Sequence, residues 1–204
     1  MQNTNEAMET KKSGTIKVES NPITVSTSLQ MQNPIVTIEM EDGGIIKAEL
    51  YPQTAPTSAH NFISLVKSGF YDGLIFHRII PGFMIQGGCP LGEGRGNPGY
   101  SIRGEFSGNG FQNNLKHEAG VLSMARSGDP NSAGSQFFIM HKASPHLDGQ
   151  YAAFGQVIEG QAVVDEIVSA PRNHADKPNT EQKMKRVTVD THGVEYPAPD
   201  KMPK

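Results

Sequence analysis

The 204 residues carry a formal net charge of −3 and 36 % hydrophobic content, with acids and bases mixed along the chain. That supplies one buried core with a tail to spare, and no basic stripe marks a nucleic-acid binder. The single cysteine, Cys89, excludes an internal disulfide, and no run nears the roughly 18 apolar residues of a membrane span.

Met1 to Gln32 is polar and reads as a flexible N-terminal extension, with Ile23 to Val25 its only apolar hint. It lacks the continuous apolar stretch of a secretory leader, so a cytoplasmic location is expected. From Asn33 the texture changes. Ile35 to Met40, the turn Asp42-Gly43-Gly44 and Ile45 to Leu50 predict a hairpin. Thr54-Ala55-Pro56-Thr57 predicts a helix start with a hydroxyl cap and proline in the first turn. Ala59, Phe62, Ile63 and Val66 follow at helical spacing, and Gly69 ends the helix.

Leu74 to Ile80, the turn Pro81-Gly82 and Phe83 to Gly87 predict two more strands, followed by a glycine-rich loop from Cys89 to Gly99. Val121 to Ala125, Gln136 to Met140, Tyr151 to Val157 and Arg186 to Asp190 predict further strands. Gly160 to Ser169 reads as a second helix. Two helices among seven or eight short strands suit a sandwich or a closed barrel, and closure is favoured because it removes exposed edges. Residues 33–196 form the domain on this reading, and 197–204 a C-terminal tail.

Familiar chemistry fails in turn. Gly94-Arg95-Gly96-Asn97-Pro98-Gly99 matches G-x-G-x-x-G, but Pro98-Gly99 forbids the helix a dinucleotide needs there. The seven histidines lack metal-ligand spacing. Ser123 and Ser135 have no evident base partner, and Asp129 and Asp148 read as turn residues. Covalent, metal and cofactor chemistry therefore lack support. Two stretches remain. In the first, Arg78 sits among large apolar residues, which is costly unless its donors are used. Strand alternation puts Met84 and Gln86 on one face, so Gln86 can hold the guanidinium across the turn. In the second, Gln136 and Phe138 share one face, with Phe137 and Ile139 on the other.

Phe76-His77-Arg78-Ile79-Ile80-Pro81-Gly82-Phe83-Met84-Ile85-Gln86-Gly87-Gly88 resembles the signature of the cyclophilin family nearly residue for residue. Asn131 to Ile139, Leu147-Asp148-Gly149 and Phe154-Gly155 resemble its later blocks, in order. The similarity runs from about Asn33 to about Asp190. It implies a closed eight-stranded antiparallel β-barrel capped by two α-helices, and isomerisation of X-Pro peptide bonds without a cofactor. By position, Arg78 matches the catalytic arginine. Phe83, Met84, Phe138 and Leu147 match the proline-ring pocket, Gln86 and Gln136 its polar surroundings, and Ala125 the adjoining groove. His146 stands where many members carry tryptophan, which implies weakened cyclosporin binding; Tyr151 stands where many carry histidine, and Arg126 is a further departure. The implied partners are proline-containing peptides and unfolded or partly folded proteins, met by a monomer. A non-catalytic proline-segment binder or holdase is the alternative.

Overall fold

The computed structural model describes residues 32–203; the extension expected over 1–32, with its Ile23–Val25 hint, lies outside them but for Gln32. β1 (Ile35–Met40) and β2 (Ile45–Leu50) form the expected hairpin, closed by Met40 N–H donating to the Gly44 carbonyl. Val36, Ile38 and Met40 turn inward with Ile46, Ala48 and Leu50, as period-two alternation requires. The remaining strands are β3 (Arg78–Ile80), β4 (Met84–Gly87), β5 (Val121–Met124), β6 (Phe137–Met140), β7 (Ala153–Glu159) and β8 (Met184–Asp190). All pair antiparallel in one sheet, in the order β3-β4-β6-β5-β7-β2-β1-β8.

The expectation of a closed barrel is corrected. β3 and β8 are the two edges of a curled half-barrel, and no ladder joins them. β3 has only three residues, because the strand expected from Leu74 is irregular until Arg78. That stretch spends its backbone groups singly: Phe76 N–H donates to Gln182, and Ile79 N–H to Asp176. One isolated bridge, Ile75 to Lys183, spans the gap.

Two helices pack on this sheet. α1 (Pro56–Lys67) buries Ala59, Phe62, Ile63 and Val66 as expected, against β7 and β8. Phe62 meets Tyr71, Phe137 and Phe154 with ring centroids 4.9, 5.0 and 5.2 Å away, in tilted and edge-on arrangements that aromatic pairs prefer. The hydroxyl cap expected at its start is absent. The Glu105 carboxylate, 1 % exposed, takes that role: it accepts Thr57 and Ser58 N–H, each at 2.8 Å, and the Ser58 hydroxyl at 2.7 Å. An anion over the positive end of the helix dipole satisfies more orphan donors than one hydroxyl could. α2 (Gln161–Ser169) buries Val164, Ile167 and Val168 against β2, β3 and β4.

The sheet carries apolar residues on both faces, and this positions the site. β5 and β6 are buried along their whole length, the pattern of strands covered on two sides. Ile79, Ile85, Leu122, Phe137 and Ile139 join the main core inside the curl. Met84, Val121, Phe138, Met140, Leu147 and Ala153 form a second cluster on the other face. Residues 197–203 lie near the domain: Met202 exchanges backbone hydrogen bonds with Ser101, and the Lys201 ammonium sits 4.5 Å from the Tyr100 ring centre.

Candidate active site

The second cluster does not end in solvent-facing polar residues; it opens as a groove of about 530 Å³. Strand register builds its long wall. Arg78 on β3 pairs with Gln86 on β4, Gln86 with Phe138 on β6, and Phe138 with Ser123 on β5. Residues directly opposite across antiparallel strands share a face, so one row carries a cation, an amide and an aromatic ring side by side. Pro81-Gly82 makes the tight β3–β4 turn that sets this register, with Phe83 N–H donating to the Ile80 carbonyl and Gly82 at φ +78°.

Around the row, Met84 and Leu147 are buried and Phe83 half-buried. Phe138 is only 5 % exposed yet lines the opening. Tyr151 stands edge-on to Phe138, ring centroids 5.8 Å apart. His146 stacks on Phe83 at 5.7 Å, so the imidazole occupies the lip of the groove. Ala125 completes this side. The structure thus gathers Arg78, Phe83, Met84, Gln86, Ala125, Phe138, His146, Leu147 and Tyr151 around one opening.

Gln136 is placed differently. Its Nε2 donates at 2.9 Å to the carbonyls of both Gly94 and Gly96, and its Oε1 accepts Gln86 Nε2 at 3.0 Å. It ties the glycine-rich loop to the sheet and lines a neighbouring pocket of about 210 Å³. The same loop is held from its other end, where Gly94 and Gly96 N–H both donate to Cys89 Sγ at 3.2 Å. Gln86 therefore does not hold Arg78, as alternation had suggested. Its amide nitrogen donates to Gln136, and its carbonyl oxygen has no hydrogen-bond partner among the described residues, while the side chain lines the groove. The Arg78 guanidinium is exposed and makes no hydrogen bond or ion pair among the described residues.

Beneath Phe138 lies an arrangement that the sequence did not disclose. His117 is buried; its Nδ1 lies 3.1 Å from Asp148 Oδ1 and its Nε2 3.0 Å from Ser123 Oγ. Burial pulls the His117 pKa below its ordinary value, against Asp148, which favours the cation. A carboxylate only accepts, so neutral His117 carries its proton on Nδ1 and accepts a hydrogen bond from the Ser123 hydroxyl at Nε2. Ser123 therefore has a base partner after all, and Asp148 is more than a turn residue. The geometry braces rather than attacks: Ser123 is 0 % exposed, out of reach of any substrate carbonyl. The His117 ring stacks under Phe138 at 6.1 Å and fixes the pocket floor. Two further residues stand on the rim, Gln150, which was not anticipated, and Arg126, which the sequence marked as a departure from the family. Gln150 and Arg126 line the groove, and the Gln150 carbonyl accepts Arg126 Nη2 at 2.9 Å.

Residues 35–189 match the family described as cyclophilin type peptidyl-prolyl cis-trans isomerase/CLD. A peptidyl-prolyl cis-trans isomerase of Arabidopsis thaliana is 50 % identical over 135 residues, covering 66 % of this chain and 82 % of the relative. Peptidyl-prolyl cis-trans isomerase B of Bacillus subtilis is 54 % identical over 105 residues, covering 52 % and 70 %. A crystal structure of a Cryptosporidium parvum cyclophilin type peptidyl-prolyl cis-trans isomerase, determined in the presence of the dipeptide Ala-Pro, superposes with a TM-score of 0.70. It is 35 % identical and covers 76 % of this chain and 98 % of its own. The chain described here belongs to the cyclophilin-type peptidyl-prolyl cis-trans isomerases.

Proposed function

We propose that the groove isomerises X-Pro bonds by a non-covalent route in which Arg78 is the catalytic residue. The observation that carries this reading is the shared row of Arg78, Gln86 and Phe138, a free cation at the rim of an apolar hollow. The uncatalysed bond turns over in tens to hundreds of seconds because amide resonance must be broken, a barrier of about 18–20 kcal/mol. Raising the rate about ten-thousandfold needs only about 5–6 kcal/mol. No nucleophile or metal is required for that.

As the bond twists, the prolyl nitrogen recovers its lone pair, and an Arg78 N–H donates to it. A charge-assisted hydrogen bond of this kind contributes about 1.5–3 kcal/mol. Phe83, Met84, Phe138 and Leu147 grip the proline ring while the preceding carbonyl rotates, and the low-polarity wall favours the twisted state over the polar planar amide. The uncommitted Gln86 oxygen accepts a second Arg78 N–H once the substrate brings the guanidinium in. The Ala-Pro dipeptide used with the C. parvum relative supports a proline-containing substrate for this chain too. A free buried Cys89 suits a reducing, cytoplasmic compartment, where the activity would assist protein folding.

Exchange spectroscopy by NMR on an Ala-Pro-containing peptide tests this reading. Catalysis adds cis/trans exchange cross-peaks at a sub-stoichiometric protein concentration. A mere binder broadens and shifts both isomers' signals without adding exchange, and that result would overturn the proposal.

A further inference from the structure

The pocket beside the proline groove shares Gln86, Ala125 and Arg126 with it, so a peptide lying in one continues into the other. Arg126 stands at the junction. Its guanidinium lies 4.6 Å from the Tyr151 ring centre and 5.1 Å from that of Phe106. Nε and Nη2 donate to the Gln150 carbonyl, and Nη1 to the Ser127 carbonyl at 2.8 Å. These partners fix the group without neutralising it, and Arg126 has no carboxylate partner among the described residues. Arg95 lines the far wall, held out by Gln136 through the glycine loop and paired with Glu93. Neither pocket has an aspartate or glutamate in its lining. A chain of net charge −3 thus places Arg78, Arg95 and Arg126 along one groove with no acid in either lining, Glu93 pairing with Arg95 from outside it.

Resting on the isomerase reading, we propose that this groove selects proline segments bearing an acidic side chain within a few residues of the proline, with Arg126 as the specificity-determining residue. A fixed cation without an ion-pair partner gains from an incoming carboxylate without first breaking a competing salt bridge. Its rigid stacking keeps the ordering cost of that contact low. The groove is open to solvent, so the gain is that of a screened pair, roughly 1.5- to fivefold in kcat/KM. The field of the arginine row also favours encounter with an anionic segment.

The test uses a set of otherwise identical Ala-Pro peptides carrying Glu, Gln or Lys at each neighbouring position on either side of the proline, assayed by NMR exchange. Glu peptides are expected to exceed their Gln counterparts at one or more positions, and Lys peptides to fall below. In wild type, the Glu-to-Gln ratio should decline toward one between about 20 mM and about 500 mM salt as the screening length shrinks. Arg126→Gln should abolish the ratio, and Arg126→Glu should transfer the preference to Lys peptides. Equal rates for the three side chains at every position would overturn the proposal. So would a Glu preference indifferent to salt and to Arg126→Gln. If the Gln peptides exchange but show no ranking against Glu, selectivity alone fails; if no peptide exchanges above its uncatalysed rate, the isomerase reading fails with it.

Discussion

At the scale of single residues, the site depends on which polar groups are spent and which are left open. Gln136 spends both ends of its amide on structure, whereas the Arg78 guanidinium has no partner among the described residues. Next to Arg78, His77 is 7 % exposed and its Nδ1 has no partner. Burial first, then the Arg78 and Lys177 cations, lower its pKa to about 4. His117 is shifted the same way by burial. Both groups bind a proton in the unfolded chain below about 6.5 and resist it when folded, so stability is whole above that pH and declines as pH falls toward 4. The unfolding midpoint in urea should accordingly drop between pH 7 and pH 5. For His77 alone the loss reaches up to about 3 kcal/mol at the acid end. His77→Phe should flatten that slope at little cost at pH 7, since no hydrogen bond to Nδ1 is lost. An unchanged pH profile in this variant would contradict the assignment. Asp148 Oδ1 also accepts the His117 backbone N–H at 2.9 Å, so Asp148→Ala should cost about 2–3 kcal/mol by leaving the backbone and ring N–H of His117 unpaired, and should also loosen Phe138, visible as line broadening of its ring signals.

Secondary-structure elements were legible where the cause is local. Period-two burial in β1 and β2 and helical spacing in α1 came from the residues themselves, because alternation and turn chemistry act within a few positions. The cap of α1 was not, because Glu105 lies 48 residues from Thr57 and is delivered by a loop. Glu105→Ala should destabilise by about 2–3 kcal/mol, the combined scale of a lost cap and buried unpaired donors. Glu105→Gln should fall between, since one acceptor oxygen remains. Equilibrium urea unfolding decides, and a Glu105→Ala variant as stable as wild type would refute the capping role. The start of α2 is a second case. Gly160 takes φ +90°, and a Cβ there would lie 2.1 Å from the Ile45 carbonyl oxygen. Gly160→Ala should therefore shift the β2–α2 junction and cost more than the usual exposed helix substitution.

For the molecule as a whole, patterning along the chain indicated two helices among seven or eight strands, and the family resemblance implied eight. Both favoured a closed barrel, and the structure shows an open, curled sheet instead. Closure is a property of two edges far apart in the chain, and here a three-residue β3 leaves the seam to irregular backbone and the Ile75–Lys183 bridge. The same limit hid the His117–Ser123–Asp148 brace, which exists only once β5 and the loop before β7 are brought together. Arg78, Phe83, Met84 and Gln86 of the groove were legible through one contiguous motif, since β3, its turn and β4 are a local hairpin, whereas Phe138 and Leu147 were matched only through separate later blocks. Arg126 stood out in the sequence only as a departure, because its company of Tyr151, Phe106 and Gln150 is assembled by folding. The guanidinium of Arg78 is the group on which the proposed isomerisation rests. NMR exchange rates should be compared for wild type, Arg78→Lys and Arg78→Ala on one neutral Ala-Pro peptide, with amide spectra confirming the fold. Turnover should fall by about a hundredfold or more in Arg78→Ala, with Arg78→Lys also poor because the planar fork is gone. An Arg78→Ala protein that is folded and still exchanges the peptide at the wild-type rate would contradict it.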